Sequence, residues 1–386
     1  MNTRVETGYP LDNHRTTPIP AFAQFARAVH DSPNIDYLWL WDELSGWFPG
    51  KLWTTENTPA ADFIDGDSTY DPFVQAAIAL AHNPDANIRL STDAIRGGPA
   101  ELLRKVLTLS NATSGNVVVA VGAGELRQTK PFGYKRTEGL QRLEDILQLV
   151  RRLYDEPQPW TQETNFWHLK NATIGKHRPE KRPEFWALGG GPVLLDIAAR
   201  YADGFEAATP QAIQTPEEFS ETVEAMRKKV EGYGRDPDAF GFGIWSLYVC
   251  HEDPEVIDRV LANPIVRYFA GQFGRLDQKR WLNEGETPVM PDGWHYAVKW
   301  APFEQTDEEI QRIVDATPVS MSRKAFHVGT PKEMAKLHSE FVEAGAQFVG
   351  WLDMTPLALG PLEGPESLRR TDEISGLIKQ AAGVGV

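Results

Sequence analysis

Two glutamates that follow separate apolar runs are the residues of this chain best suited to acid–base chemistry. Glu43 comes soon after the run 37–41, and Glu125 follows the run 117–121 and a short turn. If both runs are parallel strands, their C-terminal ends share one face, and the two carboxyls then line one pocket. Neighbouring carboxylates push the pKa of one member upward, which lets it hold a proton near neutral pH. The pair therefore predicts proton transfer, although a glycoside hydrolase also uses such a pair.

Two glycine-rich turns suggest contacts between main chain and ligand. The turn 122–124 reads Gly-Ala-Gly, and three glycines at 189–191 precede Pro192 and a predicted helix. Glycines ahead of a helix expose backbone N–H groups at the positive end of the dipole, an arrangement that binds phosphate. The first turn would admit a planar or phosphorylated ligand. Both turns also fit a simpler reading, in which glycine only eases a tight corner.

The apolar runs alternate with amphipathic helical patterns along the whole chain. This alternation predicts an α/β protein, specifically a closed (β/α)8 TIM-type barrel formed by residues 1–386 as one domain. Two insertions are expected, a hairpin at 157–182 and a longer segment at 262–317 before the last strand. The predicted strands lie at 4–9, 37–41, 88–91, 117–121, 185–188, 204–207, 240–250 and 348–352.

Composition narrows the class of function. The formal charge of -15 argues against binding to nucleic acid or to an anionic membrane surface. A single cysteine excludes an intrachain disulfide, and the nine histidines show no metal-ligand spacing, so no metal is expected. No apolar stretch is long enough to span a bilayer. We expect a cytoplasmic enzyme with a small-molecule substrate, in which some of the twelve tryptophans line a pocket for a flat cofactor or an apolar substrate.

At these residues the chain resembles the bacterial luciferase-like superfamily, and within it the branch that depends on the deazaflavin coenzyme F420. The resemblance is carried by the order and spacing of the segments 39–44, 121–125, 190–192, 199–203 and 329–331. Within this branch the chain looks like the phthiodiolone ketoreductases and is less like the F420-dependent glucose-6-phosphate dehydrogenases. The resemblance implies a TIM-type barrel, usually dimeric, with the cofactor at the C-terminal face.

The resemblance also assigns roles to individual residues. Glu125 matches the catalytic glutamate of the family, and Trp47 matches an active-site tryptophan. Where relatives read Asp-His, this chain reads Asp42-Glu43, so Glu43 is expected to replace the histidine as acid or base. Gln211 stands near a lysine of the sugar-phosphate-oxidising relatives, which argues against a phosphosugar substrate. The expected cofactor contacts are Asp42, Ser91, Thr92, Gly122, Ala123, Gly124, Glu125, Leu188, Gly189, Gly190 and Gly191.

The combined expectation is an F420-dependent oxidoreductase that moves a hydride between the deazaflavin and a ketone or secondary alcohol, and that forms a homodimer. An FMN-dependent monooxygenase of the same fold is the first alternative. A barrel glycoside hydrolase would use Glu43 and Glu125 directly and would bind neither cofactor. A non-catalytic deazaflavin-binding protein is the third alternative.

Overall fold

A parallel barrel forms the centre of the molecule, and the computed structural model describes residues 5–383 of the chain. Each strand pairs with its neighbour in parallel, and the last strand pairs with the first, so the barrel is closed. The strands are β1 (Glu6–Pro10), β2 (Tyr37–Trp41), β3 (Asn87–Asp93), β4 (Val117–Gly122), β5 (Glu184–Leu188), β6 (Gly204–Thr209), β7 (Gly241–Cys250) and β8 (Phe348–Asp353).

The predicted (β/α)8 barrel is confirmed, and all eight strands lie where the apolar runs predicted them. The first run was predicted from Arg4, which lies outside the described residues. An additional short strand, His327–Gly329, pairs with the end of β7. Helices cover the outside of the barrel at Ile19–His30, Pro72–His82, Pro99–Ala112, Gly139–Asp155, Pro192–Tyr201, Pro216–Gly232, Pro331–Glu343 and Gly364–Ala381.

Local sequence fixes where several of these helices begin. The carboxylate of Asp71 accepts hydrogen bonds from the N–H groups of Phe73 and Val74, at 2.9 and 3.0 Å, and Pro72 fills the first turn. Thr330 and Glu333 form a capping box at the start of Pro331–Glu343. These caps satisfy backbone donors that helix geometry leaves free.

Two segments depart from the strand–helix alternation. The strands Trp160–Glu163 and His168–Ala172 form an antiparallel hairpin inside the segment 157–182. Between β7 and Pro331–Glu343 the chain forms further helices, which have an apolar core of their own. Their bounds are Pro254–Ala262, Pro264–Phe273, Lys279–Asn283, Tyr296–Lys299, Asp307–Ala316 and Val319–Ala325. We refer to residues 254–325 as the insertion.

The interior of the barrel is packed with aromatic rings around one buried ion pair. Arg89 of β3 donates from Nε to Glu206 Oε2 of β6 at 2.8 Å. The Arg89 guanidinium lies 4.2 Å from the Trp186 ring centroid and 3.7 Å from that of Phe348. Glu206 Oε1 accepts from Trp245 Nε1 at 2.9 Å, so both carboxylate oxygens have partners. This filled interior means that a ligand can lie only above the barrel and not within it.

Candidate active site

The C-terminal rim of the barrel brings Glu43 and Glu125 to the same arginine. Arg127 is 2% exposed and belongs to a short helix, Leu126–Thr129, directly after the β4 turn. Its Nη2 donates to Glu43 Oε1 at 2.9 Å, and its Nε lies 2.9 Å from Glu125 Oε2. The two carboxyls predicted to share a pocket are therefore held together by one guanidinium. Arg127 was not among the predicted site residues, although its position just past a strand end was a usable signal.

Trp47 joins this cluster through both its ring and its indole nitrogen. Its Nε1 donates to Glu43 Oε1, and the Arg127 guanidinium lies 3.6 Å from the centroid of its ring. The other face of the cluster is closed by the insertion, because Trp47 packs against Phe269 and Trp300 at centroid distances of 5.5 and 5.4 Å. Trp47 thus connects the acid pair at the barrel rim to the aromatic core of the insertion.

Glu125 has an environment that favours its protonated form. Burial raises the pKa of the Glu125 carboxyl and the negative charge of Glu43 adds to this effect, while Arg127 and Arg136 oppose it. Tyr296, on the insertion helix Tyr296–Lys299, faces Glu125, and burial together with that carboxyl raises the pKa of the Tyr296 phenol. Sequence could not have shown this contact, because nothing near position 296 marks it as facing β4.

Asp42 lies beside the acid pair in a second charged cluster. Its Oδ2 accepts from Thr92 Oγ1 at 2.6 Å, and its Oδ1 accepts from Arg96 Nη1 at 3.0 Å. Arg96 also donates from Nε to Asp93 at 2.5 Å, so it is fully engaged by two acids. Burial raises the pKa of Asp42, and Arg96 counteracts this effect. Asp42 and Thr92 therefore lie together at this rim, and Arg96 is a further residue that the sequence analysis missed.

The two glycine turns adjoin at the ends of β4 and β5, where Gly122 pairs directly with Leu188. Gly124 has φ +79°, and a Cβ there would lie 2.6 Å from Ile95. Gly189 has φ +138°, whereas Gly191 has nothing within 4 Å of the space that a Cβ would occupy. The first two positions need glycine for conformational or steric reasons. Gly191 does not, so the open space beside it is available to a ligand.

The remaining predicted residues divide between this rim and a neighbouring cavity. Ser91 is buried on β3 between Trp41 and Ala120, Ala123 is buried in the β4 turn, and Gly190 lies near Ala212. A cavity of about 410 Å³ is lined by Asp42, Glu43 and Thr92 on one side and by the helix Pro99–Ala112 on the other. Glu125 and the glycine turns do not line that cavity.

Two features of the rim fit a planar, phosphorylated cofactor. One buried donor near the β4 turn, Arg136 Nε, has no hydrogen-bond partner in the structure, whereas Glu125 Oε2 and Arg127 Nε lie 2.9 Å apart as an ion pair. The helix Pro192–Tyr201 begins at Gly191 without a side-chain cap. Free donors next to side-chain-free backbone fit such a cofactor. Among residues 5–383, no group of three or more potential metal ligands comes together, and no helix is long and apolar enough to cross a membrane.

Comparison with known proteins adds an independent observation. Residues 9–347 match the family model described as luciferase-like monooxygenase. The phthiodiolone/phenolphthiodiolone dimycocerosates ketoreductase of Mycobacterium tuberculosis (strain H37Rv) is 25% identical over 367 residues, which cover 93% of this chain and 92% of that protein.

Two solved structures share the fold. An F420-dependent secondary alcohol dehydrogenase, solved with an F420-acetone adduct, has a TM-score of 0.72 and 19% identity, and the match covers 97% of this chain and 99% of the other. A riboflavin lyase, solved with modified FMN and riboflavin, has a TM-score of 0.69 and 15% identity, covering 99% and 93%. These likenesses concern the fold, while the family match spans most of the chain. The predicted family resemblance is confirmed, and this chain belongs to the luciferase-like monooxygenase family.

Proposed function

We propose that this protein is an F420-dependent oxidoreductase that transfers a hydride between coenzyme F420 and the carbon of a ketone or secondary alcohol. The observation that carries the proposal is the Glu43–Arg127–Glu125 cluster, which holds a carboxyl of raised pKa beside a glycine-lined rim. The names of the ketoreductase relative and of the alcohol dehydrogenase neighbour support the same chemistry.

The protein's own part in this reaction is to move a proton and to exclude water. When bound, the deazaflavin would supply or accept the hydride. In ketone reduction, Glu125 would give its proton to the carbonyl oxygen as that oxygen gains negative charge, and in alcohol oxidation it would take the proton back. A carboxyl of raised pKa suits both directions near neutral pH. Trp47 and the insertion would shield this exchange from water.

Glu43 has a second proposed role in proton transfer. It stands where relatives carry a histidine, and its Oε1 already accepts from Trp47 and Arg127. We assign the cofactor contacts to the rim residues that lie around this cluster. They are Asp42, Ser91, Thr92, Gly122, Ala123, Gly124, Glu125, Leu188, Gly189, Gly190 and Gly191.

A titration of the purified protein with F420 and, separately, with FMN tests the proposal. Tryptophan fluorescence is the readout, because Trp41, Trp47 and Trp245 all lie at the barrel rim. We expect saturable quenching by F420 and none by FMN at the same concentration. Reduced F420 should then be oxidised, as followed by its own absorbance, when a ketone is added. Tight FMN binding without F420 binding would contradict the proposal.

The second candidate is an FMN-dependent monooxygenase. It is favoured by the description of the matching family and by the riboflavin lyase neighbour, which was solved with modified FMN. The same titration separates the two candidates. Oxygen consumption in the presence of reduced FMN, with no turnover of ketones, would establish the monooxygenase instead.

A further inference from the structure

The mouth of the barrel is divided into two halves of different chemistry. Above β2, β3 and β4 stand the charged clusters around Arg96 and Arg127. On β6, β7 and β8 the inward-facing residues near the mouth include Ala208, Trp245 and Leu352, all partly exposed and uncharged. The strand alternation that points Glu206 and Phe348 into the barrel also points Ala208 inward one layer nearer the mouth and Leu352 two layers nearer.

The insertion covers the uncharged half with apolar side chains. Its core packs against Ala208, Trp245 and Leu352 and also against Leu276 and Val328. Leu276 is fixed at the end of β6, because its N–H donates to the carbonyl of Gln211 at 3.1 Å. The partly exposed side chains where β6–β8 meet the insertion therefore form an aliphatic and aromatic surface.

The basic side chains next to this half are already neutralised. Arg275 is buried and donates to both carboxylate oxygens of Glu284, at 2.7 and 2.8 Å. Lys324 donates to Glu286 Oε1 at 2.8 Å and to the carbonyl of Glu284 at 2.6 Å. Gln211 donates from Nε2 to the carbonyl of Ala325 at 2.6 Å, so it too is engaged. An anionic substrate group placed here would lose its hydration and gain no free cation in return.

From this division we infer that the substrate is an uncharged ketone or secondary alcohol with an apolar body, bound with its oxygen toward Glu125 and its body between β6–β8 and the insertion. The inference rests on the proposed function and adds the substrate class to it. The oxygen meets the half that contains Glu125, which can exchange a proton with it, and the body meets the half whose inward-facing side chains are apolar.

Three ketones of matched structure test the inference. 2-Octanone has the apolar body, acetone lacks it, and 7-oxooctanoate carries a carboxylate in place of the terminal methyl group. Because each buried methylene adds to binding, we expect kcat/KM for 2-octanone to exceed that for acetone by about 100-fold. We expect it to exceed that for 7-oxooctanoate by at least about tenfold, since the carboxylate must be desolvated. Equal or higher kcat/KM for the keto acid would overturn the inference.

Two substitutions test whether the apolar half determines the preference for 2-octanone over 7-oxooctanoate. Leu352→Lys introduces a cation on the barrel side of the apolar half and Leu276→Lys on the insertion side, and each should shift the preference from 2-octanone toward 7-oxooctanoate. Leu282→Lys is the matched control, because Leu282 is on the outer surface of the insertion and is 61% exposed. Melting temperatures show whether each variant is folded. Two positions are substituted so that one variant still tests the inference if the other does not fold. An unchanged preference in both folded variants contradicts the assignment of the apolar half.

Failure of the proposed function can be distinguished from failure of this inference. Binding of 2-octanone and 7-oxooctanoate is also measured by calorimetry on the cofactor-free protein. If F420 does not bind, the proposed function fails, and the two binding affinities still decide the inference. If F420 binds and the keto acid binds as tightly as the apolar ketone, only the inference fails.

Discussion

Arg127 determines the electrostatics of the candidate site, because it is the cation that both carboxyls share. A guanidinium presents several donors in a fixed plane, so it can contact Glu43 and Glu125 and still lie flat against the ring of Trp47. Burial penalises the charged form of Glu125, and Glu43 adds to this effect. Arg127 and Arg136 offset it only in part, so an excess of unfavourable negative charge remains. A proton held by Glu125 relieves this excess, which explains the direction of its pKa shift.

The roles of the two glutamates can be distinguished by replacing one ionisable side chain at a time. Glu125→Gln should lower kcat for ketone reduction by about 100-fold or more, because a general acid contributes on this scale. Its F420 affinity, measured by fluorescence quenching, shows how much of this loss comes from the cofactor contact that Glu125 is also proposed to make. Glu43→Gln should also slow turnover if Glu43 takes the role of the histidine. Activity of Glu43→Gln close to wild type would leave Glu125 as the proton donor and would contradict that role for Glu43.

Tyr296 offers a second test at the same carboxyl. Its hydroxyl donates toward Glu125, which stabilises the carboxylate, and Tyr296→Phe removes that donor. The pKa of Glu125 should then rise further, and the alkaline limb of the pH profile for ketone reduction should move to higher pH. In the cofactor-free protein, the infrared band of the protonated carboxyl, assigned by its loss in Glu125→Gln, should persist to higher pH.

Tyr268→Phe is the matched control for that experiment. Tyr268 belongs to the same insertion, but its hydroxyl contacts Gln305 and Trp300 and does not reach Glu125. A shift of equal size in both variants would assign the effect to general loosening of the insertion. The groups that face Glu125 and also influence the profile are Arg127, Glu43 and Arg136.

At the scale of elements, the turn after β5 contains one glycine that the fold requires and another that is proposed to contact a ligand. Gly189→Ala forces a side chain into φ +138° and against Leu194, so it should destabilise the protein by about 1–3 kcal/mol. Gly191→Ala has ordinary backbone angles and an open surrounding, so its melting temperature should equal that of wild type. If the cofactor contacts the main chain at Gly191, the same substitution should weaken F420 binding by about tenfold. Unchanged F420 affinity in Gly191→Ala would remove this turn from the cofactor site.

The strand and helix elements were predictable because each has a local cause. The β-branched and apolar residues of β4 require a buried strand, and Asp71 with Pro72 marks a helix start. Glu43, Glu125 and Asp42 could be placed at one rim once those strands were recognised as parallel. The contact of Tyr296 with Glu125 depends on how the insertion folds over the barrel. No periodicity in the insertion encodes that arrangement, so sequence alone could not supply it.

At the scale of the whole molecule, the barrel shows how a charged interior can be compatible with a stable core. Arg89 and Glu206 form a buried ion pair between strands that are far apart in sequence. The sequence alone does not indicate that these two residues pair. The two charges stabilise each other. In addition, the Trp245 indole donates to Glu206, and the rings of Trp186 and Phe348 lie against the Arg89 guanidinium. Removing one partner would leave an uncompensated buried charge. The pair also fixes Trp245, whose ring forms part of the floor beneath the apolar half of the site.

Two buried histidines behind β7 predict how the whole molecule responds to acid. His338 bonds the carbonyl of Met334 and the hydroxyl of Ser246, at 2.8 and 2.7 Å, and burial lowers its pKa to about 4. His327 lies beside it, and burial lowers its pKa well below the usual value, with His338 and Arg275 adding to the effect. Both rings are therefore neutral in the folded protein near pH 6.

Because unfolded histidine takes up a proton below a pH of about 6.5, acid favours the unfolded chain. The free energy of unfolding should fall as the pH decreases from about 6.5 toward 4, and His338 alone should account for a loss on the order of 3 kcal/mol over that range. Chemical denaturation between pH 6.5 and 5 measures the slope before most carboxylates titrate. His338→Gln should reduce the slope, whereas His168→Gln, at an exposed position of the hairpin, should leave it unchanged. Equal slopes in all three proteins would show that His338 does not titrate on unfolding in this range.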